Sequence, residues 1–572
     1  MKQSETFPWT KYLPSAPDID VVQSLSQQVE SHARNNGNSP AARYFGSTLS
    51  YEQLDRLANR LARYLLRRGI ASGEVIAIHM PNIPQYLIGL VAASKLGCPV
   101  TGLSPLLTPP ELAYQINDSG ARVLLSLDSL YRQAVMPAQN QLGGLRAVLV
   151  TGPIDCLPTL KRMVAYGTKK VAQVEWKPLS GRTTDHWLNV MRGGDDSRVS
   201  SPIAASDTVL IQYTGGTTGK PKGAELTLAN LSANAAQASG FLGYQPSDTV
   251  ASAFPLFHLA GLAISLMALR SGAAQLLIPN PRDIDHFISE MRKFPPTMMG
   301  NVPSMFQMLM DNPNFALIDF SKLRLAFSGA APFAVEAIHK LESIIGKNKL
   351  CEVYGMTEAS PLMTMNPPNR AKPGTVGIPV PGCVLKIMDV ETGQMEMPSG
   401  EPGEITLCGP QVMKGYRNAP DATAKTIRMR DGVRWLYSGD VGYLDEDGYL
   451  TISDRAKDML IVGGFKVFSV EVEGKLKDLP FIEHAALIGV PDPAKPGNEV
   501  VNLFVQKAQA HRDTDTEELQ QKILAYCRAN MAPYKIPKQI HFIAAMPLTA
   551  VGKLDKKLLR SQLLAETKEK AK

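Results

Sequence analysis

The chain has 572 residues, 44% of them hydrophobic and 20% charged, a composition that excludes a disordered chain and suffices for several structural units. Its 60 Lys plus Arg against 53 Asp plus Glu give a net charge of +7, which admits an anionic substrate but is too diffuse to argue for nucleic acid. The six cysteines form no C-x-x-C pair and are too sparse for a disulfide scaffold, so reduced thiols in a cytoplasm fit best.

The opening MKQSETFPWTKYLPSAPD lacks the apolar core of a signal peptide. The longest apolar stretch, 254–269, is broken by Pro255 and His258 and falls short of the ~20 residues that a membrane span needs. These features predict a soluble, cytoplasmic protein with no transmembrane segment, and leave room for peripheral contact with a membrane.

Residues 48–69 predict a helix, with Ser50 as a capping hydroxyl and apolar residues at helical spacing. EVIAIHM (74–80) reads as a buried strand, 83–97 as a helix, 98–103 as a strand and 121–127 as another strand. This alternation predicts an α/β fold of parallel-type sheets covered by helices. The polar segment 156–200, with helical pieces such as LPTLKRMVAYGTKKV, reads as an insertion or surface excursion. After about residue 370, short strands separated by Gly, Pro and Asp predict a β-rich subdomain. Asp447-Gly448 and Gly463-Gly464 sit between apolar runs and predict hairpin turns. From about 456 a small α+β unit follows: a hairpin (459–468), a helix (470–479), strands near 484–490 and 499–507, a helix (516–529), a strand (539–544) and a terminal helix (554–567).

The strongest local signal is YTGGTTGKPKGAELT, 213–227, between the apolar run TVLIQ and the helix-like LANLSANAAQA. Glycines let backbone N–H groups approach phosphate oxygens, the threonines add hydroxyl donors, and Lys220 and Lys222 add charge. The spacing is not that of a Walker A loop, because three residues separate Gly215 from Gly219 and Pro221 follows Lys220.

This loop resembles the phosphate loop of the adenylate-forming superfamily, which includes acyl-CoA synthetases, peptide-synthetase adenylation domains and firefly luciferase. FPLFH (254–258), SGAAP (328–332), YGMTE (354–358), YSGD (437–440), SDRAKD (453–458), GGFKV (463–467) and PLTAVGKLDK (547–556) follow in the family's order. The phrases YGMTEASPLMTMNP and GEITLCGPQVMKGYRNAPDAT look closest to bacterial medium- and long-chain fatty-acid:CoA ligases.

The resemblance implies a ligase that uses ATP, Mg²⁺ and coenzyme A. A carboxylate attacks the α-phosphorus of ATP, giving acyl-AMP and pyrophosphate, and a thiol then displaces AMP. By the resemblance, Thr214, Gly215, Gly216, Thr217, Thr218, Gly219, Lys220 and Lys222 clamp the β- and γ-phosphates. Thr357 is similar to the residue that touches the α-phosphate, and Glu358 occupies the magnesium-ligand position. Gly329, Ala330, Ala331 and Tyr354 look like the adenine slot. Asp440 resembles the carboxylate that takes the ribose hydroxyls, and Arg455 its cationic partner. Lys553 matches the lysine that reaches the substrate carboxylate and the α-phosphate. The implied organisation is a large domain over 1–453 (β-rich subdomain about 370–453), a hinge at 454–455 turning on Asp454, and a small mobile domain over 456–572. Rotation about the hinge brings Gly463 and Gly464 to the pantetheine tunnel. One departure stands nearby: Val470 precedes Glu471 where the family pattern has proline.

Substrate choice is read from two positions. Gly355 stands where acetate-specific relatives carry tryptophan, which predicts an open acyl channel, and His258 resembles the gating aromatic near the carboxylate end. The expected substrate is a medium- or long-chain fatty acid. Alicyclic or aromatic acids are the alternative, as is acyl transfer to a carrier protein. The simultaneous presence of Glu358, Asp440, Arg455 and Lys553 argues against a catalytically silent binding protein.

Overall fold

The structure is a computed structural model that describes residues 7–13, 22–167, 174–214, 220–368, 370–455, 458–462, 465–492, 498–548 and 554–570. Contacts divide the chain into two compact units. One comprises residues 1–385, 407–436 and 447–449; the other comprises 386–406, 437–446 and 450–572.

The first unit is built on two large sheets. In one, the strands run Gly415–Tyr416, Lys222–Thr227, Thr208–Thr214, Val100–Gly102, Val75–His79, Ala121–Leu127, Ala147–Thr151 and Thr183–His186. From Thr208–Thr214 to Thr183–His186 every pairing is parallel. In the other, Pro40–Tyr44, Ala274–Leu276, Thr249–Ser252, Met298–Asn301, Leu325–Ser328 and Leu350–Gly355 form a parallel series flanked by antiparallel edge strands. The fully buried runs Val75–His79 and Ala147–Thr151 are what a sheet covered on both faces demands. Helix Pro84–Leu96 is apolar nearly all round and buried nearly all round; Pro84 starts it and Gly97, at φ 68°, ends it in the left-handed conformation. Its Lys95 is fully buried, and Glu30 at 2.7 Å and Asp55 at 2.8 Å compensate the charge.

The second unit contains a three-stranded sheet of Ile482–Pro491, Glu499–Lys507 and Gln539–Ile543. Val472, Leu476, Leu487, Leu503, Ile523 and Cys527 form its core with the helices Ser469–Leu476 and Thr516–Asn530. Strands Leu460–Val462 and Phe465–Val467 pair antiparallel about the predicted turn. The fold is the expected α/β class with an α+β C-terminal part.

Three local readings change. Ser50 does cap Tyr51–Arg67 with a reciprocal capping box, but residues 47–50 form an edge strand and not the first turn of the helix. Part of 156–200 is no surface excursion, since Thr183–His186 extends the first sheet in parallel with Ala147–Thr151. The segment 213–227 is not all loop. It joins the antiparallel strands Thr208–Thr214 and Lys222–Thr227, and helix Leu228–Leu242 starts only afterwards, capped by Thr227.

Candidate active site

At the base of the 213–227 hairpin, Thr214 stands in register with Lys222. The tip, residues 215–219, lies outside the described residues, and with it Gly215, Gly216, Thr217, Thr218 and Gly219. Both described lysines lie over aromatic rings. Lys220 Nζ is 5.4 Å from the Tyr114 ring centre, and Lys222 Nζ is 4.8 Å from that of Tyr416. The Tyr114 hydroxyl donates to the carbonyl of Pro221 at 2.9 Å, which fixes the ring that steers Lys220.

Strand Leu350–Gly355 ends in a single 3-10 turn, Thr357–Ala359. The carboxylate of Glu358 in this turn is buried, 5% exposed, and the Tyr416 hydroxyl donates to its Oε1 at 2.5 Å. Met413 N–H donates to the Glu358 carbonyl at 2.9 Å, and Ser360 Oγ donates to that of Gln411 at 2.8 Å. These bonds tie the turn to the segment that carries Tyr416. Burial, and then the facing Glu358 charge, push the Tyr416 phenol well above its ordinary pKa, so it remains a donor. Lys222, Tyr416 and Glu358 are thus brought together. Among the described residues no group of three or more His, Cys, Asp or Glu could hold a metal. One buried carboxylate with the Lys222 ammonium close by fits Mg²⁺, which commonly takes one or two protein carboxylates and fills its remaining positions from phosphates and water.

Gly329 is buried, and a Cβ there would come within 2.7 Å of Val353 Cγ2 and 2.9 Å of the Val353 carbonyl oxygen. Ala330 follows at φ 70°, a strained conformation for a residue with a side chain. Ala330 and Ala331 are exposed, while Tyr354 on the adjoining strand is buried. Beside them, Asn301 and Ser328 face each other in register at the C-terminal ends of parallel strands. Their Nδ2 and Oγ are buried and have no hydrogen-bond partner among the described residues. Unsatisfied buried polar atoms are uncommon, and this edge is where open α/β sheets take ligands.

The FPLFH segment is held by side-chain amides. Asn82 Nδ2 donates to the Phe254 carbonyl at 2.9 Å, while Asn82 Oδ1 accepts from Leu256 N–H at 2.8 Å. Gln212 Nε2 donates to the Phe257 carbonyl at 2.9 Å. His258 then caps helix Leu259–Ser271, its Nδ1 accepting from Ala260 N–H at 3.3 Å. The proton of the neutral ring therefore sits on Nε2.

Gly355 has a close neighbour that the sequence did not show. A Cβ at this position would lie 2.0 Å from the carbonyl oxygen of Pro361 and 2.8 Å from its carbon. That carbonyl accepts from Met356 N–H at 2.9 Å, and Gly355 pairs with Leu362 across the antiparallel edge. A backbone crosses against this exposed glycine, and that close approach is a second reason for glycine here beside the open channel expected from the sequence.

In the second unit, Asp440 pairs in register with Arg455 across strands Val433–Leu444 and Leu450–Arg455, and its N–H donates to Ser438 Oγ at 3.1 Å. The Arg455 side chain, Gly463, Gly464 and Lys553 lie outside the described residues. Asp454 is buried; its Oδ1 accepts from Ser469 Oγ at 3.0 Å and its Oδ2 from Ser469 N–H. Lys556 Nζ donates to Ser469 Oγ at 2.6 Å and pairs with Glu473 at 2.7 Å. Burial holds the Glu473 carboxyl above its ordinary pKa against the opposing pull of Lys556. One buried network thereby ties Asp454 to the helix Lys556–Lys570.

Residues 29–417 match the family described as AMP-binding enzyme, and residues 471–553 match its C-terminal domain. The chain belongs to the AMP-binding enzyme family. It is an acyl-CoA synthetase of the AMP-forming type, an ATP-dependent ligase. It is 34% identical over 565 residues to the long-chain-fatty-acid–CoA ligase of Yersinia pestis, covering 96% of each chain. It is 32% identical over 535 residues to a feruloyl-CoA synthase of Amycolatopsis sp., covering 93% of this chain and 97% of the other. Among solved structures, the anthranilate CoA ligase AuaEII in complex with anthranoyl-AMP matches with a TM-score of 0.82 at 25% identity, covering 96% and 99% of the two chains.

Tyr416 is the residue that sequence reasoning missed in this synthetase. It stands in GYRN, a phrase used only for family likeness, and nothing local marks a tyrosine for a carboxylate 58 residues away. Tyr416→Phe removes the hydroxyl that holds Glu358. Adenylate formation should fall by about 10- to 100-fold, the range seen when a ligand's outer partner is lost. Thioester formation from supplied acyl-AMP should be unchanged; stopped-flow measurement of both steps checks this, and an equal loss in both would assign Tyr416 a merely structural role.

Proposed function

We propose that the synthetase activates a medium- or long-chain fatty acid as acyl-AMP with release of pyrophosphate, and then transfers the acyl group to coenzyme A. The observation that carries this reading is the end-to-end similarity to a ligase named for long-chain fatty acids. The apolar helix Leu259–Ser271 behind His258 adds support, because an alkyl chain needs an apolar wall. The feruloyl-CoA synthase relative and the anthranilate ligase structure favour a second reading, an aromatic acid.

In this reading the hairpin lysines Lys220 and Lys222 neutralise the triphosphate, and Thr214 with the loop 215–219 wraps it. Thr357 meets the α-phosphate. Glu358, oriented by Tyr416, would hold Mg²⁺, which supplies charge neutralisation to the phosphates. Gly329 to Ala331 and Tyr354 receive adenine, and Asp440 with Arg455 receives the ribose. Lys553 bridges the attacking carboxylate and the α-phosphate, where two anions must meet. His258 borders the carboxylate end of the acyl site. The domain from 456 turns about Asp454–Arg455 between the two steps and brings Gly463 and Gly464 beside the thiol arm.

A panel of acetate, octanoate, palmitate, benzoate and cyclohexanecarboxylate, each with ATP and free CoA, separates the readings. The expected order places octanoate or palmitate first in kcat/KM. Benzoate first would transfer the assignment to aromatic acids, and adenylate formation without any CoA thioester would point to a carrier-protein acceptor.

The hinge reading has its own test. Asp454→Pro fixes φ near −65°, so one half-reaction should persist while the overall cycle fails. Because Asp454 also accepts two bonds from Ser469, Asp454→Asn, which keeps an acceptor, is the control and should retain most turnover. Full activity in the proline variant would move the pivot elsewhere.

A further inference from the structure

Helix Pro109–Ser119 presents two polar side chains to the hairpin that carries Lys220 and Lys222. Leu112, Ala113 and Ile116 bury one face of the helix in the core of the first sheet, and Gly120, at φ 72°, ends it. Tyr114 and Asp118, one turn apart, share another face. The Tyr114 bond to Pro221 holds the hairpin beside its lysines. Asp118 reaches further. Its Oδ2 accepts from the Tyr213 hydroxyl at 2.6 Å, at the end of the incoming strand Thr208–Thr214. Its Oδ1 accepts from Asn418 Nδ2 at 3.4 Å, and its main-chain carbonyl accepts from Arg417 Nε at 3.2 Å and Asn418 Nδ2 at 3.3 Å. Arg417 in turn grips the outgoing strand Lys222–Thr227. Its Nη1 pairs with Glu225 at 3.0 Å, and its N–H donates to the Gly223 carbonyl at 2.8 Å.

Both strands of the hairpin and the segment 416–418 therefore meet at Asp118, and Arg417 directly follows Tyr416, the residue that holds Glu358. A carboxylate beside lysines that await an anion works against that anion's charge, so electrostatic attraction does not account for Asp118. Geometry does: an ionised carboxylate only accepts, and it fixes the Tyr213 hydroxyl in one direction. Burial, and then the bond to Asp118, push the Tyr213 phenol well above its ordinary pKa, which keeps it a donor. We propose that Asp118 and Arg417 are positioning residues for ATP: Asp118 holds Tyr213 on one strand, Arg417 holds Glu225 on the other, and together they set where Lys222 meets the β- and γ-phosphates. The proposal rests on the reading of this hairpin as the triphosphate clamp, and not on which acid the enzyme activates.

The test is calorimetric titration of the full chain with ATP in the presence of Mg²⁺ and, separately, with AMP, which lacks the β- and γ-phosphates. Neither acid nor turnover enters the measurement. Asp118→Ala and Arg417→Met should each weaken ATP binding by about tenfold, the low end for loss of a partner that orients a ligating group, and leave AMP within about twofold. Asp118→Asn, whose amide oxygen still accepts from Tyr213, should recover most of the loss. Tyr213→Phe should match Asp118→Ala, and the double variant should be no weaker than either, because both remove the same bond. If Asp118→Ala does not fold, Tyr213→Phe, which keeps the ring and loses only the hydroxyl, carries the same expectation. Equal weakening of ATP and AMP would overturn the proposal by making the network merely structural. Lys222→Ala separates the two remaining failures. If it weakens ATP while the Asp118, Tyr213 and Arg417 variants bind as the parent does, the positioning role alone is overturned. If it too leaves ATP binding unchanged, the hairpin is not the clamp and the proposal falls with that reading.

Discussion

Replacing Lys553 with Ala should lower acyl-adenylate formation by about 10²-fold or more, the scale of losing one preorganised charge-stabilising donor. Thioester formation from supplied acyl-AMP should survive, because no carboxylate then approaches a triphosphate. The loop that carries Lys553 is closed at its base: Leu548 bridges to Leu554, and Asp555 N–H donates to the Pro547 carbonyl at 2.8 Å. Three residues on, Lys556 is fixed to Ser469 and Glu473. The loss of Lys553 should appear in the rate of adenylation and hardly in stability. Rapid-quench measurement of each half-reaction decides; an equal fall in both would remove the assigned role.

Gly355→Ala should impair every substrate alike. The added methyl meets the Pro361 carbonyl oxygen at 2.0 Å, and a backbone oxygen cannot rotate away as a side chain would. Overpacking of this kind costs about 1–3 kcal/mol, and relief requires movement of the strand end that leads into Thr357 and Glu358. The expected result is a lowered melting transition together with parallel losses on acetate, octanoate and palmitate. Gly355→Trp should do the same more severely. A folded Gly355→Trp protein that kept acetate activity and lost only palmitate would instead support Gly355 as the mouth of the acyl channel.

That glycine marks where sequence reasoning stops. The parallel sheets were legible because 74–80 and 121–127 are predominantly apolar runs bounded by helical periodicity, which a covered sheet requires. The antiparallel pairing of Leu460–Val462 with Phe465–Val467 was legible from the turn-type residues between them in the sequence. Strand Lys222–Thr227 was not, because KGAELT carries no alternation, and only its partner Thr208–Thr214 makes it a strand. The separate motifs of the candidate site could be read from residue types and order. Their mutual support could not: Tyr416 on Glu358, Asn82 on the FPLFH segment and Lys556 beneath Asp454 all join residues far apart in sequence. The reason for Gly355 was also hidden, since a close approach by Pro361 leaves no trace in the neighbouring residues.

The central claim, that this synthetase activates a fatty acid on ATP before any thiol takes part, is tested most directly by ATP–pyrophosphate exchange without coenzyme A. With palmitate or octanoate present, label from pyrophosphate should enter ATP, and omission of the acid should abolish the exchange. Exchange that runs with benzoate or ferulate but not with any fatty acid would contradict the assignment of the substrate. Acyl-CoA formation with no exchange under any acid would contradict the acyl-adenylate itself.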